Sequence, residues 1–159
     1  MRKFFRRLRV FPDKNYLKSN SIDYVRVVQR QDLSYLFVDL DLALKSESLD
    51  RIRLVSQSIL DKLCELTGVT AEVSVSVGES CKSQMGYVRM NRGKRHSVRL
   101  YCRTPKLKRM RSTKVFLNTL LHEFVHIYDW DKLRLSNSVH CSGFYKRIGF
   151  LQDFFYSVE

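Results

Sequence analysis

The segment from residue 113 to residue 130 constrains this chain most, because it contains the run His122-Glu123-Phe124-Val125-His126. Apolar side chains recur along this segment at intervals of three and four, and it has no glycine or proline. Such spacing predicts a buried helix of about four turns. Two histidines and a carboxylate are costly to bury in a helix of this kind unless a metal or polar partners satisfy them. The segment therefore predicts a core helix with a polar site on it.

The spacing of His122 and His126 is typical of a zinc site. Residues four apart lie on one helix face about 5 to 6 Å from each other. Both imidazoles can therefore reach one Zn²⁺ ion at about 2.0 to 2.1 Å. Glu123 follows the first histidine directly, which favours the role of general base on the attacking water over that of metal ligand. The alternative is a helix with two hydrogen-bonded core histidines and no metal.

A third ligand is needed, because catalytic zinc has three protein ligands and one open position. His140 lies fourteen residues after His126, at the predicted start of the last helix, and we expect it to complete the set. Asp129 and Asp131 compete for this role, but their positions favour hydrogen bonding to a ligand or exposure to solvent. His96 lies among basic residues, and we expect it at the surface or in contact with phosphate.

Three aromatic residues near the motif have two interpretations each. Tyr128 or Tyr145 could donate a hydrogen bond to a developing oxyanion, although such residues more often belong to the core or the rim of a site. Trp130 could stack on a nucleic-acid base, but core packing is favoured. Lys132 stands where a compact His-x5-His continuation would need histidine, which argues against a metzincin. Catalysis by Ser/His/Asp or Cys/His is disfavoured, because the downstream histidines are assigned to metal.

The rest of the chain predicts an α+β fold. A small mixed or antiparallel sheet is expected to pack on an N-terminal helix and on the helix of the motif, with a C-terminal helix after them. The expected elements are a strand hairpin from 24–30 and 34–39, an amphipathic helix over 49–66 that stops at Gly68, a strand over 71–77, a hairpin from 87–91 and 97–103, and a last helix over 142–155.

The chain has 159 residues, no internal repeat and no linker rich in proline or glycine. These features predict one domain over 1–159, with a core at about 48–155 and a basic N-terminal arm over 1–20. No run approaches the roughly 18 to 20 apolar residues that a membrane span requires, and the start does not resemble a secretory signal. We therefore expect a cytoplasmic protein, with association to a nucleoid or nucleus as an option, and with its four cysteines reduced. An organellar targeting segment is the alternative interpretation of the basic start.

The charge balance predicts an anionic partner. The chain has 29 basic and 16 acidic residues, a formal net charge of +13, and no acid between Glu79 and Glu123. Basic clusters of this kind attract phosphate backbones. A solubilising surface or an acidic membrane surface are the alternatives. The predicted nucleic-acid contacts are Arg89, Arg92, Lys94, Arg95, Arg99, Arg103, Lys106, Lys108, Arg109 and Arg111.

The motif and the run His140-Cys141-Ser142-Gly143-Phe144 together resemble the SprT-like (Spartan-type) zinc metallopeptidase domain, over about residues 48–155. Cys141 departs from that family's pattern, in which glycine is common. The resemblance implies a zincin-like α+β fold, one Zn²⁺ ion held by the three histidines, and protease activity. In some members of the family this activity is directed at proteins crosslinked to DNA.

These observations lead to one principal hypothesis and two rivals. The principal hypothesis is a zinc-dependent metalloendopeptidase that hydrolyses protein substrates on or near DNA. The first rival is a nucleic-acid-binding module that keeps zinc as a structural ion and hydrolyses nothing. The second is an accessory protein of toxin or phage type with a narrower protein target. The sequence predicts no oligomeric state and does not separate DNA from RNA.

Overall fold

The computed structural model describes residues 13–93 and 95–156. Within these residues the fold is α+β, as predicted, and the strand order in the sheet is β1-β3-β2. Strand β1 runs parallel to β3, and β2 runs antiparallel to β3, so the sheet is mixed. The elements are α1 (Lys14–Ser21), α2 (Ser34–Lys45), α3 (Leu49–Thr67), β1 (Glu72–Gly78), β2 (Gly86–Arg89), β3 (Arg95–Tyr101), α4 (Thr113–Asp131) and α5 (Ser142–Gln152).

Helix α3 confirms the predicted amphipathic helix, and its ends follow from local chemistry. The Ser48 side chain accepts a hydrogen bond from the backbone N–H of Arg51 at 3.4 Å and so caps the start. Gly68 ends the helix with φ +66°, a left-handed conformation that glycine adopts without strain. Ile59 and Leu63, among others, are fully buried. Burial of this apolar stripe anchors the helix under the sheet.

The sheet buries one of its faces against α3 and α4. Val73 and Val75 of β1, and Val98 and Leu100 of β3, are buried on that face. The residues between them point to the opposite face, because successive side chains of a strand alternate. The predicted strand over 71–77 and the predicted hairpin after it are thereby confirmed, with shifts of one or two residues at their ends.

The prediction of a strand over 34–39 is wrong, because this segment belongs to helix α2. Leu36, Leu40 and Leu44 recur at intervals of four and are buried. The aromatic and β-branched residues Tyr35 and Val38, which suggested a strand, are 53% and 56% exposed. Burial of the leucine stripe in tertiary contacts therefore outweighs the local strand preference of these residues.

The predicted partner strand over 24–30 is also wrong, because the segment is irregular. Its backbone is nevertheless held by helices. The N–H of Val28 donates to the carbonyl of Leu66 at 2.8 Å, and the N–H of Arg26 donates to the Tyr128 hydroxyl at 2.9 Å. Hydrogen bonds that a strand would use within a hairpin therefore attach this segment to α3 and α4.

Both ends of the domain differ from the prediction. Helix α5 is three residues shorter than predicted, although Phe154 and Phe155 beyond it are buried. Residues 14–20 of the predicted arm, together with Ser21, form helix α1, which packs on α5, so packed structure begins before the predicted core. The remainder of that arm, 1–12, lies outside the described residues. Among the described residues, no helix has both the length and the hydropathy needed to cross a membrane.

Candidate metal centre

Three histidines converge at one point of the fold. His122 and His126 lie one turn apart on α4, and His140 lies directly before α5. The Nε2 atom of His126 is 3.3 Å from Nε2 of His122 and 3.1 Å from Nε2 of His140. All three ligand atoms lie within 4.8 Å of one another. These three histidines, which the sequence singled out, are close enough to hold a metal ion.

The spacing of the nitrogens fits a tetrahedral ion. Zinc binds imidazole nitrogen at about 2.0 to 2.1 Å, so two nitrogens of one tetrahedron lie about 3.3 Å apart. The two closest nitrogen pairs, at 3.3 and 3.1 Å, are near that value. Three imidazoles suit zinc, but also copper, nickel and iron. The geometry thus accepts a small divalent ion without identifying it.

A buried hydrogen-bond network sets the tautomer of His126. Arg147 donates from Nη2 to Oδ2 of Asp129 at 2.9 Å, and both side chains are fully buried. Ser138 donates its single hydroxyl hydrogen to the same oxygen at 2.7 Å. At 2.9 Å from Nδ1 of His126, the Ser138 oxygen can then only accept. Nδ1 therefore carries the hydrogen, and Nε2 presents its lone pair to the centre.

Asp129, which was predicted to hydrogen-bond a ligand or to be exposed, is buried and reaches His126 only through Ser138. Burial raises the pKa of the Asp129 carboxyl, while Ser138 and Arg147 oppose this effect. The positive charge of the Arg147 guanidinium favours the carboxylate form of Asp129 and so acts against burial. Asp131 lies elsewhere and accepts a hydrogen bond from the backbone N–H of Thr70 at 3.3 Å.

Burial also keeps the imidazoles of His122 and His126 neutral. It lowers the pKa of His126 to about 3, and the neighbouring rings of His122 and His140 act in the same direction. Burial lowers the pKa of His122 as well, with a smaller contribution from His140. Neutral imidazole is the form that binds a metal ion. These two side chains are therefore in their metal-binding state at neutral pH.

The floor of the centre is Phe144, at the start of α5. Its fully buried ring lies 4.7 to 5.0 Å, between ring centroids, from all three histidines. The preceding residue, Gly143, is needed for packing, since a Cβ atom there would lie only 2.2 Å from the carbonyl oxygen of Ser19. Helix α1 can therefore close over the start of α5 only if this position is glycine.

Glu123 lies beside the three histidines and is 7% exposed. Burial raises the pKa of its carboxyl to about 7, and a hydrogen bond from the backbone of Val88 partly opposes this shift. A cleft of about 470 Å³ borders the carboxylate and the histidines. Its other walls include Gly86 and Val88 of β2, together with Trp130, Ser136 and Asn137.

Strand β2 forms a wall of the cleft, and no other strand of the described residues pairs with its outer edge. The N–H of Tyr101 donates to the carbonyl of Met85 at 3.0 Å, which fixes the alternation of the β2–β3 ladder. In an antiparallel ladder, every second residue directs its backbone groups away from the partner strand. The backbone groups of Gly86 and Val88 therefore face the cleft.

The opposite edge of the sheet, at β1, is covered by a side chain of α3. Gln57 accepts a hydrogen bond from the N–H of Val75 at 2.9 Å and donates one to the carbonyl of Val73 at 2.8 Å. One amide side chain thus pairs with two backbone groups of β1, as a neighbouring strand would.

The three aromatic candidates differ in burial and in their position relative to the cleft. Tyr128 is buried, and its hydroxyl accepts from the backbone of Arg26, so it belongs to the core. Tyr145 is 55% exposed, with its ring centroid 6.5 Å from that of His122 and 6.2 Å from that of His140. The preference for Trp130 in the core is wrong, because it is 41% exposed and lines the cleft.

The expectation of a surface position for His96 is also wrong. It lies two residues from Val98, on the same inner face of β3, and is 3% exposed. Its Nδ1 atom accepts a hydrogen bond from the backbone N–H of Asn91 at 3.2 Å. Its basic neighbours Arg95 and Arg99 point to the other face of the sheet, so strand alternation decides the position of His96.

The basic residues predicted to contact nucleic acid do not form one uniform surface. Arg103 pairs with Glu47 at 2.6 Å and Glu79 at 2.8 Å, so its charge is already used within the fold. Arg111 donates to the carbonyl of Tyr101. Most of the others that the structure describes are exposed, namely Arg89, Arg92, Arg95, Lys106, Lys108 and Arg109, while Arg99 is half-buried and Lys94 lies outside the described residues.

Sequence reasoning missed two residues of the site, Ser138 and Arg147. Arg147 had a usable signal, because it occupies a position on the buried face of α5 between Phe144 and Leu151. A charge on an apolar face needs a partner, and Asp129 could have been proposed. Ser138 had no such signal, since nothing local distinguishes it from other serines in the same loop.

Comparison of the chain with models of protein families, with curated proteins and with solved structures finds no match. Any assignment of function therefore rests on the motif and on the geometry around it.

Proposed function

We propose that this protein is a zinc-dependent metalloendopeptidase of SprT-like type, with a zincin-like fold. In this proposal His122, His126 and His140 hold one Zn²⁺ ion, and Glu123 is the general base. The observation that carries it is the convergence of three imidazole nitrogens beside a buried carboxylate, at the unpaired edge of the sheet.

The chemistry divides between the ion and the carboxylate. Bound zinc would supply a Lewis acid and lower the pKa of water towards ~7. Glu123 takes the proton of the attacking water and returns it to the leaving amine. A carboxyl whose pKa lies near 7 can do both at neutral pH. A nearby cation draws this pKa down again and so favours the carboxylate form that accepts the proton.

The edge of β2 supports a peptide as the substrate. The backbone groups of Gly86 and the carbonyl of Val88, which do not pair with β3, can form hydrogen bonds with an extended chain that lies in the cleft, while the Val88 N–H donates to Glu123. Such pairing would place a scissile peptide bond beside Glu123. Trp130 and Tyr145 at the rim offer contacts to side chains of that peptide.

The rival, a nucleic-acid-binding module with a structural zinc, is favoured only by the net charge of +13. Structural zinc sites usually have four protein ligands and are closed. Here the described residues bring three histidines together at an open cleft. This difference favours catalysis, and the charge is compatible with a protein substrate on or near DNA. A cytoplasmic location, nucleoid- or nucleus-associated or not, remains a prediction.

Zinc analysis and peptide hydrolysis together test the proposal. We expect Glu123→Gln to lower the rate of hydrolysis of an unstructured protein about 10² to 10⁴-fold, the usual contribution of a general base, with one zinc ion retained. Glu65→Gln makes the same chemical change at an exposed position of α3 and should leave the rate unchanged. A zinc-loaded wild-type protein whose residual activity equals that of Glu123→Gln would rule out a peptidase.

A further inference from the structure

The cleft at the metal centre continues into a smaller cavity, which we call the side cavity. It has a volume of about 240 Å³ and is lined by Trp130, Arg134, Leu135 and Ser136. Trp130 and Ser136 also line the cleft, so the two spaces adjoin. Trp130 follows His126 by four residues on α4, a distance of about 6 Å along the helix axis. The side cavity therefore lies about two or three residues of an extended chain from the metal centre.

Arg134 has a backbone conformation that an arginine rarely adopts. Its φ is +55°, in the left-handed region, where glycine or asparagine is the usual residue near the end of a helix. Hydrogen bonds fix the residues on either side. The N–H of Leu133 donates to the Tyr128 carbonyl at 3.3 Å, and the N–H of the buried Leu135 donates to the Asp129 carbonyl at 3.1 Å. Strained residues that their neighbours hold in place are frequent in binding sites, which makes the Arg134 side chain a candidate for ligand contact.

The side chains around the side cavity offer hydrogen-bond donors. Within the described residues, Arg134 forms no ion pair. The hydroxyl oxygen of Ser136 accepts a hydrogen bond from Nδ2 of Asn15 at 2.7 Å, which leaves the hydroxyl hydrogen free to donate. Trp130 adds an indole N–H, which can only donate. No aspartate or glutamate among the described residues lines the cavity. The side cavity therefore suits a ligand group that accepts hydrogen bonds.

A carboxylate is the peptide group that matches these donors best. An ionised carboxylate accepts hydrogen bonds without donating any, and the planar guanidinium of an arginine can bind both of its oxygens at once. The ring of Trp130 can cover the methylene groups of an acidic side chain. A lysine or arginine of a substrate would instead meet Arg134 with like charge. An acidic side chain is therefore favoured over a neutral or a basic one.

The opposite end of the cleft has different chemistry. There the cleft continues into a cavity of about 190 Å³, lined by Met85, Gly86, Asn118 and Thr119 together with two residues of the metal centre. In the described part of the chain, no arginine or lysine lines this second cavity. A peptide that lies along α4 would therefore meet a cation on only one side of the scissile bond.

We propose that Arg134 determines substrate specificity by binding an acidic side chain in the side cavity, about two or three residues from the scissile bond. This subsite deepens the proposed peptidase function and rests on it. The substrate class is then a protein with an acidic residue at a fixed distance from the cleaved bond. The net charge of +13 would attract acidic proteins over a longer range, and Arg134 would select the bond.

Hydrolysis of quenched fluorescent peptides by the zinc-loaded protein tests the proposal. Each peptide has one glutamate, placed in turn at each of about four positions on either side of the scissile bond, and is compared with the same peptide carrying glutamine. At one position, two or three residues from the bond, kcat/KM should be about tenfold or more higher for glutamate, as a charge-assisted hydrogen bond supports. At every other position the two values should agree within about threefold, because the overall charge acts without regard to position.

Variants at residue 134 identify the cause of the preference. Arg134→Gly removes the side chain and suits the left-handed backbone, and it should reduce the preference for glutamate to less than about twofold. Arg134→Glu should reverse the preference, so that a lysine peptide is cleaved faster than the glutamate peptide. Each ratio compares two peptides with one variant, so a general loss of activity cancels. Arg53→Ala removes an equal charge from an exposed position of α3 and should keep the full preference.

Three results would overturn the proposal. The first is hydrolysis of both peptides with no preference for glutamate at any position. The second is a preference that persists in Arg134→Gly or is lost equally in Arg53→Ala. The third is cleavage of a phosphoserine peptide more than about tenfold faster than the glutamate peptide, which would make phosphate the ligand.

Failure of the peptidase proposal looks different, because the zinc-loaded wild-type protein would then hydrolyse neither peptide. In that case fluorescence anisotropy of the same peptides with Glu123→Gln, and with Glu123→Gln/Arg134→Gly, measures the preference as a ratio of Kd values. Tighter binding of the glutamate peptide that depends on Arg134 would support the acidic subsite without hydrolysis. Equal binding of the two peptides would overturn it.

Discussion

The two edges of the sheet are treated in opposite ways. At β1 the side chain of Gln57 occupies the edge and pairs with the backbone of Val73 and Val75. At β2 the backbone groups of Gly86 and Val88 face the cleft. Unpaired edges invite pairing with other chains, and proteins usually block them. An edge left open beside three converging histidines is therefore where the proposed peptidase would accept an extended chain.

The largest expected effect belongs to the metal centre that distinguishes the open edge. His140→Ala removes one of the three imidazoles. Zinc sites bind with about 10 to 16 kcal/mol in total, so one ligand accounts for roughly 3 kcal/mol, or about a hundredfold in affinity. Competition with a chromophoric chelator measures the loss. Gln57→Ala, at the covered edge, should retain wild-type zinc affinity. An equal loss of zinc affinity there would show that the two edges do not differ in metal binding.

The open edge itself is tested by Val88→Pro, which removes the backbone N–H that faces the cleft instead of β3 and donates to the Glu123 carboxylate. Hydrogen bonds to charged groups contribute about 1.5 to 3 kcal/mol, so we expect kcat/KM for peptide hydrolysis to fall roughly tenfold to a hundredfold with zinc retained. Val88→Ala loses the side chain but keeps the N–H, and it should stay within a few-fold of wild type. Similar losses in both variants would show that the valine side chain matters and the edge does not.

Ser138→Ala tests whether the centre at the open edge depends on its hydrogen-bond network. The change frees Nδ1 of His126 and leaves Asp129 with one donor fewer. Partners of this kind usually contribute 10 to 100-fold, and we expect zinc affinity to fall about tenfold. Ser138→Thr should restore most of it. Ser136→Ala alters a neighbouring serine that contacts Asn15 instead, and a loss there as large as at Ser138 would contradict the network.

The smallest effect is expected at the covered edge. Gln57→Ala removes two hydrogen bonds to β1, but water can reach the freed groups, so the free energy of unfolding should fall by only about 1 kcal/mol. The exposed edge should also promote self-association, which light scattering after size-exclusion chromatography detects. Ser58→Ala on the same helix removes only a hydroxyl bonded to the Leu54 carbonyl. If Gln57→Ala stays as monodisperse as this control, the glutamine does not prevent self-association through the edge of β1.

Long periodic segments were predictable from the sequence, and contacts between distant segments were not. Helices α3 and α4 follow from apolar spacing of three and four over two turns or more, and strand β1 follows from alternation of apolar and polar residues. The spacing of His122 and His126 places both on one face of α4. Helix α2 was missed because its exposed Tyr35 and Val38 have strand preference, which says nothing about the leucines they flank. His96 was misplaced because its neighbours in sequence lie on the other face of the sheet.

The contact of Gln57 with β1 and the network around His126 were missed for a different reason. Gln57 meets residues 16 and 18 positions away, and Arg147 meets Asp129 from a separate helix. The position of Arg147 on the apolar face of α5 gives a local signal that a partner is needed, but which residues meet in either contact depends on how whole elements pack. The motif, with the one histidine downstream of it, identified the three histidines that converge, whereas the partners of His126 required coordinates.

The buried Arg147 also ties the beginning of the described chain to its end. It donates to the carbonyl of Ser19 at the close of α1 and to Asp129 on α4, while itself belonging to α5. Separating such a buried pair from its partners costs about 3 to 5 kcal/mol. A polypeptide still emerging from the ribosome has α1 but lacks the arginine, and so cannot complete the arrangement around His126. The order of synthesis therefore delays assembly of this arrangement until α5 has left the ribosome.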